Sequence, residues 1–138
     1  MRNYRARGVT PDGKPIFAEA HEHEVVAAWL TMHGIFFIHV PNEGKRSWQT
    51  GKQLKRMGMV KGCPDFLIFD GVPFTVGQDF VVNRPTALEL KAVDGKVPTA
   101  EQIAFLSHLR QRGWVADWCR GSEAAIKWLE SLGYGGQQ

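Results

Sequence analysis

Three residues carry groups whose types and spacing suit chemistry: Asp65, which follows Pro64, and the pair Glu89 and Lys91 on either side of Leu90. Asp65 opens the apolar run Phe66-Leu67-Ile68-Phe69, and Glu89 closes the run Ala87-Leu88. A strand sends alternate side chains to opposite faces, so Glu89 and Lys91 project together while Leu88 and Leu90 point into a core. With Asp65 at the head of a neighbouring strand, two carboxylates and an ammonium share one edge of a sheet. Such a carboxylate pair can bind one hard cation, because Mg²⁺ takes a few carboxylate oxygens together with waters and a phosphate. A cation in that position polarises a phosphoryl oxygen and lowers the pKa of an attacking water, and a fixed ammonium favours the negative charge that develops. The set suits hydrolysis of a phosphodiester.

The blocks around these residues resemble a known family. Pro-Asp, a spacer and Glu-x-Lys form the signature of the PD-(D/E)xK nucleases. VPNEGKRS at 40–47, LKRMGMVKGCPD at 54–65 and VPTAEQIAFLSHLRQRGW at 97–114 look like the VRR-NUC (virus-type replication-repair nuclease) group. The resemblance runs from Glu19 to Glu130 and implies an α/β fold with a restriction-endonuclease-like core, a central mixed β-sheet flanked by helices. It implies that Asp65, Glu89 and the backbone carbonyl of Leu90 bind Mg²⁺ or Mn²⁺, and that Lys91 orients the attacking water. The family also carries a first-helix glutamate that reaches the metal, matched here by Glu22 with Glu24 in reserve, and a glutamine near the scissile phosphate, matched by Gln102. Stand-alone members look like homodimeric resolvases of four-way (Holliday) junctions. The implied activity is therefore metal-dependent, structure-specific cleavage of branched DNA. A flap or restriction-type endonuclease and a non-cleaving DNA-binding module are the alternatives.

The elements that must position these residues can be read in order. Residues 17–33 have Val25, Val26 and Trp29 at helical spacing, with Gly34 as the stop signal. Glu22 falls on the inward stripe of that helix, where a carboxylate needs a partner. His21 and His23 flank it, but HEHE is not the HExxH spacing that sets two imidazoles one turn apart, so both are read as solvated. Ile35 to Val40 is a continuous apolar run that predicts a buried strand, with His39 near its end as either a substrate contact or a satisfied neighbour. After a turn at 41–44, Ser47 can cap a short helix with Trp48, Leu54 and Met57 on one side and Lys52, Lys55 and Arg56 on the other.

Phe66 to Phe69 reads as a short strand. Residues 71–85, holding Pro73-Phe74-Thr75-Val76 and Phe80-Val81-Val82 around Gly77-Gln78-Asp79, read as a hairpin inserted before the central strand 87–90 and as a candidate dimer interface. Thr99 followed by Gln102 fits a capping box, so Gln102 has two competing roles, cap and active-site contact. A helix to Gly113, a strand over 114–119 and a helix over 123–132 complete one domain at 16–132. Residues 1–15 and 133–138 are expected to be tails.

Charge and composition bound the partners. The chain of 138 residues is long enough for one core, and its net charge is +3, from 17 basic and 14 acidic residues. Between Gly44 and Lys61 stand Lys45, Arg46, Lys52, Lys55, Arg56 and Lys61 with no acidic residue, a candidate phosphate-binding surface that Asn42 adjoins. Arg2, Arg5 and Arg7 in the first tail are further candidates for phosphate contact. Cys63 and Cys119 lack the paired spacing of a zinc site or disulfide framework, and nothing points to an organic cofactor. No run is apolar enough for a membrane span and the N-terminus has no signal-peptide pattern, which predicts a cytoplasmic protein.

Overall fold

A computed structural model describes residues 5–41 and 48–136. Its elements in chain order are β1 (Gly8–Val9), β2 (Pro15–Ile16), α1 (Glu19–Met32), β3 (Phe37–His39), α2 (Trp48–Arg56), β4 (Phe66–Val76), β5 (Phe80–Lys91), α3 (Ala100–Gln111), β6 (Val115–Arg120) and α4 (Ser122–Leu132). The main sheet has the order β3-β4-β5-β6. The first two pairings are antiparallel, and β5 pairs with β6 in parallel through α3, because parallel neighbours need a crossover.

Alternation along β5 divides the molecule into three layers. Leu88 and Leu90 join Phe66 and Ile68 under Val26 and Leu30 of α1 and Ala125 and Leu129 of α4. Ala87 points the other way, to Leu106 of α3 and Ala116 of β6. Helices therefore cover both faces, which is the expected mixed sheet flanked by helices. Among the described residues, no helix is long and apolar enough to cross a membrane.

The expected hairpin at 71–85 forms, pairing from Val72 with Arg84 to Val76 with Phe80 around the turn at 77–79, as the outer part of a longer ribbon made by β4 and β5, whereas both expected tails change. The register shifts between Ile68 and Val72, where residues 69–71 stand opposite Pro85 alone, so the strand period breaks there. Tyr134, expected in a tail, is buried and secures this bulge, its hydroxyl lying 2.7 Å from the Asp70 carbonyl and 2.8 Å from Thr86 Oγ1. At the other end, Pro11-Asp12-Gly13 is a turn signal that closes β1 on β2, with Gly13 at φ 88°. Arg7 is tied down beside it, 2.9 Å from Asp94 Oδ1.

Candidate active site

The start of β4 and the end of β5 bring the acidic residues together. Phe66 is paired with Leu88, so the next position outward sets Asp65 beside Glu89. The backbone fixes Asp65 twice: its carbonyl accepts from Val40 N at 2.7 Å, and Oδ2 accepts from Leu90 N, also at 2.7 Å. Both residues are buried, Asp65 6% and Glu89 2% exposed. Lys91, on the same side of β5 as Glu89, brings Nζ to 3.6 Å from Glu89 Oε1.

Gln102 caps α3 and also reaches Glu89. Its Oε1 accepts from Thr99 N at 2.8 Å, and its own N–H donates to Thr99 Oγ1 at 3.2 Å, which completes the capping box. Its Nε2 then donates to Glu89 Oε1 at 3.0 Å. Gly62 makes this possible. It sits at φ 90°, and a Cβ there would lie 2.5 Å from the carbonyl oxygen of Glu101 and 2.8 Å from Gln102 N. The loop leading to Asp65 therefore packs directly on the first turn of α3, and no side chain fits between them.

Glu89 has one oxygen without a donor. Among the described residues, no hydrogen-bond partner reaches its buried Oε2. Its neighbour Asp65 offers only another acceptor unless a proton or a cation lies between them. Burial first, and then the charge of Asp65, push the Glu89 carboxyl up to about 8, against the opposing pull of Lys91. The same surroundings raise the thiol of Cys63, through burial and then the charges of Glu89 and Asp65. An orphaned buried carboxylate oxygen facing a second carboxylate, with an ammonium alongside, fits a divalent cation.

On α1 it is His23, rather than Glu22, that lies against Asp65 and the Leu90 carbonyl. Glu22 is buried, but its carboxylate accepts from Ser122 N at the start of α4, where Gly121 provides no side-chain cap. A carboxylate satisfies an exposed amide there and faces the positive end of the helix dipole. Glu24, the reserve, two residues further along α1, is half-buried. The residue between them, His23, lies in the site rather than in solvent. Its Nδ1 is 2.9 Å from His39 Nε2, and its Nε2 is 3.4 Å from the Leu90 carbonyl and 3.6 Å from Asp65 Oδ2. Both imidazoles meet the ring of Phe66. Burial, followed by His23, lowers the His39 pKa below its ordinary value, while Asp65 acts in the opposite direction.

Among the described residues, His23, His39 and Asp65 form a group of potential metal ligands with donor atoms within 4.8 Å of one another. The sequence held the signal for His23, but its partner comes from β3, so no spacing within the helix reveals it. Of the basic residues, Lys52, Lys55, Arg56 and Lys61 are exposed on α2 and on the approach to Gly62. Asn42, Lys45 and Arg46 lie outside the described residues.

No family model matches the chain, and no curated protein matches it. Among solved structures, it is similar to one described as a "VRR_NUC domain protein", with a TM-score of 0.61 over 83% of this chain and 86% of that one, at 20% identity. The chain has that fold, and the resemblance read from its motif blocks is borne out at the level of fold.

Proposed function

We propose that this chain is a VRR-NUC nuclease that cuts DNA by metal-dependent hydrolysis of phosphodiester bonds. The observation that carries this reading is the buried pair Asp65 and Glu89, with an oxygen of Glu89 lacking any donor among the described residues and Lys91 Nζ 3.6 Å from the other oxygen. Asp65, Glu89 and the Leu90 carbonyl would hold Mg²⁺ or Mn²⁺, which when bound supplies an acidified water and neutralises charge on the phosphate. The Leu90 N–H orients Asp65, and Gln102 holds Glu89 in a single rotamer from the first turn of α3. Lys91 orients water and stabilises the developing charge as a cation. Lys52, Lys55, Arg56 and Lys61, with Asn42, Lys45 and Arg46 ahead of them, supply backbone contacts whose loss lowers the salt slope by about 0.9 per phosphate.

The substrate in this reading is a four-way junction cut by a homodimer in the cytoplasm. One active site per chain cleaves a two-fold junction symmetrically when two chains pair. The exposed apolar end of β4 and β5 supplies a surface for that pairing, with Phe80 at 71% and Val81 at 66% exposure. The test is a Mg²⁺ titration against four-way, flapped and linear DNA, run beside Asp65→Asn and Lys91→Ala. Cleavage that disappears in both folded variants while DNA binding persists supports the enzyme. Binding without cleavage by the unaltered protein at any Mg²⁺ or Mn²⁺ concentration favours a non-cleaving module. Preference for flaps by a monomer removes the resolvase reading and keeps the nuclease.

A further inference from the structure

We infer that His23 is a nitrogen ligand of the active-site cation and that His39 is the positioning residue that fixes its tautomer. The inference deepens the nuclease reading and rests on it. His23 Nδ1 stands 2.9 Å from His39 Nε2, a good hydrogen-bond distance, whereas His23 Nε2 is 3.4 Å from the Leu90 carbonyl and 3.6 Å from Asp65 Oδ2. The contact with the Leu90 carbonyl is at most a long hydrogen bond, and the one with Asp65 is beyond hydrogen-bond reach. In the tautomer whose Nδ1–H donates to His39, Nε2 carries a lone pair that faces these two oxygens, both of them acceptors. Three acceptor atoms converging without a proton among them suit a cation, and ligands about 2.1 Å from one octahedral ion stand about 3 Å apart. The side chain of His23 is 13% exposed and that of Asp65 8%, so water has little room to resolve the conflict.

The neighbouring residues support this arrangement. Glu22, one position earlier on α1, has its carboxylate at Ser122 N, so the helix offers an imidazole to the site. His39 comes from β3 and rests against Phe66, which holds its ring against His23. A metal-bound imidazole commonly has its other nitrogen hydrogen-bonded to a fixed partner, and losing that partner costs about 10–100-fold in metal affinity. Nitrogen ligation also favours Mn²⁺ and later transition ions over Mg²⁺, which selects oxygen.

The test is pulsed electron paramagnetic resonance on the Mn²⁺-loaded protein, with Mn²⁺ and Mg²⁺ affinities measured by calorimetry and folding checked by circular dichroism. Directly bound imidazole gives a ¹⁴N modulation. The expected result is modulation in the unaltered protein, its loss in His23→Gln with a Mn²⁺ affinity at least about tenfold weaker, and its retention in His39→Gln with a similar loss of affinity. Absence of ¹⁴N coupling in the unaltered protein overturns the inference whatever the variants do, and so does coupling that survives His23→Gln or disappears only in His39→Gln. In those cases Asp65-dependent cleavage still supports the nuclease. Cleavage that persists in Asp65→Asn and Glu89→Gln with no divalent cation bound removes the nuclease reading and this inference together.

Discussion

The two ends of the β4–β5 ribbon invert the burial rule in opposite senses. At the end near Asp65, polar groups are enclosed: Asp65, Thr86 and Glu89 are all buried. At the other end apolar groups face solvent, with Val76, Phe80, Val81 and Val82 between 46% and 71% exposed. Thr86 is satisfied by Tyr134, whereas Glu89 keeps an oxygen without a donor among the described residues. Burying a carboxylate beside another is unfavourable, and so is exposing a phenylalanine beside valines, and in both places the sequence preserves the cost. One pair of strands therefore presents two features that folding alone does not explain: an acidic niche that suits a cation and an apolar tip that suits a partner chain.

The sharpest way to break the comparison is to remove charge from the niche. Asp65→Asn and Glu89→Gln keep size and hydrogen-bonding capacity while abolishing the carboxylates, and each is expected to reduce cleavage of branched DNA by about 10²–10³-fold or more. DNA binding measured by fluorescence anisotropy should hardly change, because the phosphate contacts lie on other residues. At the tip, Phe80→Ser should leave the cleavage rate per assembled active site unaltered. Full activity in either carboxamide variant would remove the niche's claim to the chemistry.

A glycine at each end separates structural constraint from simple backbone preference. Gly62 at φ 90° would drive a Cβ into the Glu101 and Gln102 backbone, while Gly77 at φ 67° has nothing within 4 Å. Gly62→Ala should therefore destabilise the fold by about 1–3 kcal/mol and also lower activity, since α3 must shift and withdraw Gln102 from Glu89. Gly77→Ala meets only the backbone penalty of about 1–2 kcal/mol and should leave the rate intact. Urea denaturation alongside cleavage assays of the two variants distinguishes these outcomes, and equal effects on rate would show that the packing of the loop on α3 has no part in the site.

Much of the niche was legible because its chemistry lies on contiguous strand residues. Period-2 alternation placed Glu89 and Lys91 on the side opposite Leu90, and the capping box located the start of α3. The helix α1 was also readable, including the inward stripe on which Glu22 falls. What Glu22 does there was not readable, because its partner Ser122 is 100 residues away. His23 was missed for the same reason: its partner His39 is 16 residues away on another element, and only the fold joins them. The hairpin at 71–85 was legible from its two apolar runs around Gly77, but its continuity with the flanking strands was not, because Gly71 and Pro85 interrupt the strand period at the bulge. A Gly-rich ending concealed that Tyr134 belongs to the core.

A smaller effect should come from the tip. Phe80 and Val81 touch little within the chain, so Phe80→Ser with Val81→Thr should change the stability of one chain by no more than about 0.5 kcal/mol per site. If two chains pair through this surface, sedimentation velocity will show the dimer of the unaltered protein shifting to monomer, and four-way junctions will be nicked singly rather than cut in pairs. A dimer that persists in the double variant places the interface elsewhere and leaves the exposed apolar tip without that explanation.

The smallest expected effect is a pH dependence confined to the niche. The Glu89 carboxyl is raised from 4.5 to about 8 in the folded chain, by burial first and then by Asp65. Between those values the folded state keeps a proton that the unfolded chain has released. This contribution to stability is complete below about 4.5 and disappears as pH rises through about 8. Glu89→Gln has no proton to lose, so the melting temperature of the metal-free variant should gain on that of the unaltered protein as pH rises across this window. A divalent cation competes with the same proton, so the stabilisation by Mg²⁺ should grow over the same range and vanish in the variant. Paired thermal melts with and without Mg²⁺ measure both effects. A Mg²⁺ response that is independent of pH, or unchanged in Glu89→Gln, would show that the cation binds away from this carboxylate pair.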